Sequence, residues 1–451
     1  MSPMTRTPQG AGPPRTPLPA RVRVGYGLGS FATGTYGTVP GLVLLYYLTD
    51  VLGVAAGLAG LLVFLPKAWE VLVSPWLGGL SDRTGHRWGP RTPWMALGAL
   101  TAPLCFAALF AAPTGLGPTG SAVYVTAAFL LTATAFACFQ VPYIALPAEF
   151  TTDPDERTRV QAWRVAFLCV TILATGALAP VLAGVDDDRG GTPGGYRLMG
   201  LAAAVLILAG MTGALAATVR TRSVLAVTGE SGTRVRLRAL RGERDLTALL
   251  GANLLQGVAT GTMLAGTQFF ATYTLGRPAA TSLLFLALIL PSLPAMPLWL
   301  AAARRTGKRR AALAATVCFL TGAGALGLAR GMPDAWVYGA LALAGVGYAG
   351  VQMLPIALYG DAIAADTLRR GRPRAGALTG LWMSSETLGL ALGPVVYGLV
   401  LTAGGFVPSD ATEKAAQPGS ALGSVVLGFG AVPALLLLLS LPVLARYRPP
   451  H

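Results

Sequence analysis

Twelve long apolar runs leave this chain few ways to fold. They lie near 25–49, 53–80, 93–113, 121–148, 161–184, 198–219, 246–274, 280–303, 310–330, 334–359, 376–403 and 420–445. A helix needs about 20 predominantly apolar residues to cross the hydrocarbon of a bilayer, and each run is long enough. Many runs contain Gly or Pro, which membrane helices tolerate. The small residues between Gly251 and Gly266 allow close approach of a neighbouring helix. Composition agrees. Of 451 residues, 53% are hydrophobic and only 12% charged, against about 25% charged in an average soluble domain. A soluble chain of this length could not hide so much apolar surface in one core.

The loops set the orientation. Alternate loops carry Arg83, Arg87 and Arg91; Arg157 and Arg159; seven arginines from Arg220 to Arg244; Arg304, Arg305, Lys308, Arg309 and Arg310; and Arg369, Arg370, Arg372 and Arg374. The other loops hold almost only Arg189, Arg197, Arg277, Arg330 and Lys414. This asymmetry predicts both termini in the cytoplasm and an even number of spans. It also accounts for the formal net charge of +15 without invoking nucleic acid. The Pro-, Thr- and Arg-rich start has no apolar core of a signal peptide and is read as a disordered tail.

The longest polar stretch between runs, Thr221 to Asp245, divides the spans six and six. A repeat supports the division. Arg83-Thr84-Gly85-His86-Arg87 is echoed 222 residues on by Arg305-Thr306-Gly307-Lys308-Arg309. Ile144-Ala145-Leu146 with Glu149 is echoed 212 residues on by Ile356-Ala357-Leu358 with Asp361. The expected fold is an all-α membrane protein, twelve transmembrane helices in two pseudo-symmetric six-helix bundles. Its parts are a cytoplasmic tail 1–24, a bundle 25–219, a linker 220–245, a second bundle 246–445 and a tail 446–451. Parallel duplicated halves suggest alternating access around a central cavity.

Three segments carry a family resemblance. The first is Tyr26-Gly27-Leu28-Gly29-Ser30-Phe31, followed by Tyr46-Tyr47-Leu48-Thr49-Asp50-Val51-Leu52-Gly53. The second holds Trp69-Glu70, Ser74-Pro75, Gly78-Gly79-Leu80-Ser81-Asp82-Arg83-Thr84 and Trp88-Gly89-Pro90-Arg91-Thr92-Pro93-Trp94. The third holds Val141-Pro142-Tyr143-Ile144-Ala145-Leu146, Glu149, Asp155-Glu156-Arg157-Thr158 and Arg164. With these, the chain resembles the major facilitator superfamily. Within it, the chain is similar to the glycoside–pentoside–hexuronide:cation symporters, the group that includes the melibiose carrier. The resemblance implies secondary uptake of a small solute, often a sugar, with sodium or protons. It places a cation site on acidic residues of the amino-terminal half and the sugar between the halves.

Glu70 sits near the middle of the second run, where a charge costs a few kcal/mol and must face protein or water. Lys67, three residues earlier, shares its helical face. The pair either binds the coupling cation or merely tolerates burial. By family position Glu70 matches the first carboxylate of the cation motif. Here the chain departs from the pattern: Ser74 stands where a second carboxylate is common, and Ser30 where an early acid is common. One Glu with hydroxyls is a poor sodium site, whereas a buried carboxyl can exchange a proton. Proton coupling, or no coupling, is therefore expected ahead of sodium.

Gln140, Arg164, Trp382 and Glu386 are the candidate substrate ligands, since sugars bind through planar hydrogen-bonding groups and aromatic faces. An acid is common in the family near Gln140; the amide still donates and accepts. Asn253, Gln256 and Gln352 are cavity candidates too, with interhelical bonding the stronger reading for Asn253 and Gln256. Tyr46 and Tyr47 read as interface belt residues. Asp82, Arg83 and Arg87 form a loop motif suited to a charge latch. Glu149, Arg157, Asp361 and Arg369 could pair the halves or simply cap helices.

The four cysteines lie far apart in apolar runs, and the two histidines have no partner spacing for a metal. No phosphate-binding loop or catalytic constellation is present. The expectation is a monomeric inner-membrane transporter, not an enzyme, without cofactor or nucleic acid, whose partners are a small-molecule substrate, the coupling H+ or Na+ and the lipid bilayer. Two rival readings stay open here: a proton-driven exporter of an amphipathic or lipid-like compound, and a non-transporting receptor or scaffold.

Overall fold

The computed structural model describes residues 18–86, 89–113, 115–150, 154–184, 191–219, 244–370, 375–409 and 415–447, without the side chains of 148–149, 154–155, 366–370 and 375–377. The first half runs α1 (Ala20–Leu28 and Ser30–Val39, then π-helical turns Pro40–Leu44 and Tyr47–Val51), α2 (Ala56–Asp82), α3 (Thr92–Leu109), α4 (Gly117–Phe150), α5 (Pro154–Leu182) and α6 (Pro193–Thr218). The second half runs α7 (Arg244–Phe269, then π-helical Phe270–Thr274), α8 (Ala280–Ile289 and Ser292–Thr306), α9 (Lys308–Leu326), α10 (Asp334–Arg370), α11 (Ala375–Ala403) and α12 (Gly419–Val426, π-helical Leu427–Ala431, Val432–Ala445).

Ten of these helices are long and apolar enough to cross a membrane. The other two are α1, broken at Gly29 and by its π turns, and α9, which opens on Lys308-Arg309-Arg310. Large apolar side chains such as Leu72, Trp76, Leu100, Leu104 and Leu298 face outward, as lipid permits. The helix of α1 starts at Ala20, five residues before the expected span. Its first turn is held in place: Val22 is buried, and Arg23 pairs with Glu156 of α5 at 3.8 Å. The predicted linker 220–245 lies outside the described residues except for Arg244 and Asp245, which open α7. The tails are described only from residue 18 and to residue 447.

Each half packs as a bundle. In the first, α1 lies on α5 and α6, and α4 on α2 and α3; in the second, α7 lies on α11 and α12, and α9 on α10. Small residues set the close crossings. A Cβ at Gly257 would lie 3.1 Å from the Gly389 Cα, and one at Gly261 would strike the Leu390 carbonyl oxygen. The halves meet along α2–α11, α5–α8 and α1–α7. At the first of these, a Cβ at Gly60 would lie 2.5 Å from the Pro394 carbonyl oxygen. Between α8 and α9, Gly307 turns the chain at a φ of 88°, a left-handed conformation that favours glycine. The helix ends that carry Arg83, Arg91, Arg157, Arg304 and Arg305 lie together with the start of α1; this is the Arg-rich end, and the opposite one is the far end.

Candidate functional site

A cavity of about 520 Å³ lies between the two bundles. The first half lines it from α1, α2, α4 and α5, the second from α7 and α11. Its apolar wall includes Val63, Phe129, Phe136, Leu264 and Leu390; its polar groups include Thr33, Lys67, Glu70, Ser74, Gln140, Arg164, Ser384, Glu386 and Thr387. Six of the seven residues expected to bind cation or substrate therefore line one space. The lining reaches Gly78, Ile144 and Gly380, near the Arg-rich ends of their helices.

Glu70 faces this cavity, while its neighbour Trp69 points outward and donates its indole N–H to the Thr134 hydroxyl at 3.0 Å. The residues sit between two prolines of α2, Pro66 and Pro75. Lys67 Nζ lies 3.3 Å from Glu70 Oε2, and the side chains are only 17% and 14% exposed. The Tyr36 hydroxyl of α1 donates to the same oxygen at 2.9 Å. The ammonium also sits over the Tyr36 ring, 3.4 Å from its centroid, a cation–π contact. Phe136 stacks on the Tyr36 ring, ring centroids 3.9 Å apart. Ser74 donates to the Glu70 carbonyl at 2.6 Å, the back-bond common for a serine within a helix. Tyr36 escaped the sequence reading because a tyrosine in an apolar run gives no signal of its own.

Nearby in the same half, the Thr33 hydroxyl donates to Gln140 Oε1 at 3.0 Å. Ser30 does not face the cavity as an acid substitute; it donates to the Arg164 carbonyl at 2.7 Å and anchors α5 to α1. The Arg164 side chain lines the cavity, and its Nε has no hydrogen-bond partner among the described residues. Glu386 reaches the cavity from α11 of the other half. Trp382 does not line it: the indole is buried against Tyr359, centroids 4.9 Å apart. Asn253 and Gln256 bond within the second bundle, to Ser385 at 3.4 Å and to Thr316 at 3.1 Å. Gln352 is exposed and away from the cavity.

The far end is closed by polar contacts between halves. Asp50, buried at the end of α1, accepts a hydrogen bond from the Tyr273 hydroxyl of α7 and another from Thr49 at 2.7 Å. Gln268 of α7 donates to the Tyr196 hydroxyl of α6 at 2.9 Å. The Ser409 amide donates to the Thr49 carbonyl at 3.1 Å. Tyr46 and Tyr47 are not belt residues. Both are fully buried, because α1 runs inside the protein at this end: Tyr46 packs edge-on against Phe269, and Tyr47 against Phe110 and Tyr196. Asp50 stands 223 residues before Tyr273, nearly the offset of the loop repeat, and each lies in the terminal π turn of its half's first helix.

At the Arg-rich end the described ion pairs stay within one half. Asp82 pairs with Arg91 at 3.2 Å, joining the end of α2 to the start of α3. Asp361 of α10 pairs with Lys308 of α9 at 2.6 Å. Arg83 is exposed and Arg157 half-buried. Arg87, and the side chains of Glu149 and Arg369, lie outside the described residues.

Residues 25–449 match the family of MFS/sugar transport proteins. A putative glycoside/cation symporter of Escherichia coli K12 is 25% identical over 93% of this chain and 90% of its own. The isoprimeverose transporter of Lactiplantibacillus pentosus is 24% identical over 92% of this chain and 86% of its own. The crystal structure of a D-xylose–proton symporter superposes with a TM-score of 0.67 at 13% identity, covering 93% of this chain and 96% of that one, which shows the shared fold. Twelve helices among the described residues, packed in two halves, the interfacial cavity and the match along nearly the whole length lead to one conclusion: the chain belongs to the MFS/sugar transport protein family, a family of membrane transporters.

Proposed function

We propose that the chain carries a sugar or glycoside across the inner membrane by alternating access, in symport with a cation, the proton ahead of sodium. The observation that carries this reading is the cavity between the halves, lined by Glu70, Lys67, Gln140 and Arg164 from one half and Glu386 from the other. Its mixed lining suits a sugar: polar groups for hydroxyls, and an apolar wall including Val63, Leu264 and Leu390 for the apolar ring surface. The relatives named as glycoside/cation symporter and isoprimeverose transporter support the same class of cargo.

In this reading Glu70 is the coupling carboxylate, held by Lys67 and Tyr36, with Ser74 shaping its turn. Gln140, Arg164 and Glu386 meet the solute. The Arg-rich end faces the cytoplasm, with both termini there, so the cavity is open inward and sealed outward by Asp50–Tyr273 and Gln268–Tyr196. Rocking of the halves would break those contacts and close the Arg-rich end, where Asp82–Arg91 and Asp361–Lys308 brace the loops of each half. One chain supplies both walls of the cavity, so a monomer suffices.

The test is counterflow of radiolabelled sugars in vesicles holding purified protein, across a panel of mono- and disaccharides and glycosides. Saturable exchange of at least one sugar, lost in Arg164→Ala, is expected. No exchange with any sugar, together with proton-linked dye efflux, would replace this reading with an exporter of amphipathic compounds.

A further inference from the structure

From the Arg-rich end inward, the polar lining groups of the cavity stop partway down. On α1, Thr33 lies nearer that end and Pro40 deeper. On α2, which runs the other way, Ser74, Glu70 and Lys67 come before Val63. On α11, Ser384, Glu386 and Thr387 come before Leu390 and Pro394, and α7 contributes only Gly261 and Leu264. Gln140, Arg164 and Glu386 share one level, each roughly 15 Å along its helix from the Arg-rich end. Leu390 stands about 6 Å and Pro394 about 12 Å deeper than Glu386. The deep floor is thus walled by apolar groups of four helices. Leu264 closes it between the halves, since a Cβ at Gly41 of α1 would lie 2.8 Å from its Cδ2. Among the described lining residues the one polar side chain at this depth is Tyr36, and its hydroxyl is already donated to Glu70.

The two levels favour different chemistry. A sugar ring has an apolar surface, but hydroxyls surround its rim. In the polar layer those hydroxyls meet the Gln140 amide, the Glu386 carboxylate and the Arg164 guanidinium, whose Nε has no partner among the described residues. In the floor they would lose their water and find no replacement. An apolar group gains there by the area it buries. We propose, on the reading of this cavity as a sugar site, that the solute is a glycoside with an uncharged apolar aglycone, aryl or alkyl, seated on Val63, Leu264 and Leu390, while its sugar ring lies in the layer of Gln140, Arg164 and Glu386. Val63, Leu264 and Leu390 then determine specificity: they select for the aglycone and against a bare sugar.

The experiment is equilibrium binding to the purified full chain in lipid nanodiscs, free of glycoside detergents that would compete. The probes are glucose, galactose and xylose, each as free sugar, methyl glycoside and phenyl glycoside, with phenol alone as control. For at least one sugar the phenyl glycoside should bind at least roughly tenfold tighter than the methyl glycoside, and phenol alone should not bind saturably. Leu264→Gln should cut the phenyl-to-methyl affinity ratio by about threefold or more, and Leu264→Met should keep it. A merely structural role would weaken both glycosides and leave the ratio unchanged. Val63→Thr carries the same expectation if Leu264→Gln does not fold. Equal affinity for phenyl glycoside, methyl glycoside and free sugar overturns the proposal and leaves the sugar reading standing. An unchanged ratio in folded Leu264→Gln or Val63→Thr also overturns it. Saturable binding of none of the sugars or glycosides, or phenol binding as tightly as its glycosides, overturns the sugar reading as well.

Discussion

The Tyr36 hydroxyl donates to Glu70 Oε2 at 2.9 Å, tying α1 to α2 at the wall of the cavity. The same ring lies under the Lys67 ammonium and against Phe136. One aromatic side chain thus fixes both members of the ion pair, and any movement of α1 against α2 is felt at Glu70.

Replacing Tyr36 by Phe keeps the ring contacts and removes the hydroxyl. A hydrogen bond to a charged group contributes about 1.5–3 kcal/mol. The expected result is a loss of coupled accumulation of roughly tenfold or more, with sugar exchange retained. Uptake against a gradient, compared with counterflow in the same vesicles, checks it.

The pair of Asp50 and Tyr273 should hold the far end shut. Tyr273→Phe removes one hydrogen bond to a buried carboxylate, about 1.5–3 kcal/mol, and shifts the balance toward the outward-open form by about tenfold to a hundredfold. Asp50→Asn should act in the same direction. Spin labels at Thr119 and Met332, both exposed at the far end, in a background without the four cysteines, should report longer distances in the variants. Unchanged distances would show that the contact does not govern opening.

Gly261 lies where α7 passes the Leu390 carbonyl of α11. Gly261→Val forces the two backbones apart, a cost of about 1–3 kcal/mol for overpacking. A lowered Tm of the detergent-solubilised protein is expected, whereas Gly339→Ala, with open space at its Cβ, should leave the Tm near wild type.

Two residues of the sequence-based site should separate in a sugar-binding assay. Arg164→Ala removes a cavity donor and should abolish binding. Trp382→Phe alters a side chain buried on Tyr359, outside the cavity, and should leave affinity within about threefold while lowering stability by about 1 kcal/mol.

The apolar helices were legible in the sequence because their length is set by the bilayer itself. Glu70 was legible for the same reason: a carboxylate at the middle of an apolar run has to face protein or water. Asp50 was not, since it stands at the end of its run, where an acid is ordinary. Only the π turn that carries it into the contact with Tyr273 gives it a role. Tyr46 and Tyr47 looked like belt residues because their depth along the run suits a belt, while the depth of α1 inside the protein depends on packing between helices. Trp382 shows the same limit on α11, where periodicity does not say whether an indole meets the cavity or Tyr359.

Glu70 is proposed to couple a cation to solute movement through the cavity between the halves. Its most direct test is uptake of a labelled sugar, chosen from those that exchange, into vesicles with an imposed proton gradient and no sodium. Wild type should accumulate the sugar above the outside concentration, and Glu70→Gln should equilibrate it without accumulation. Accumulation by Glu70→Gln equal to wild type would contradict the account.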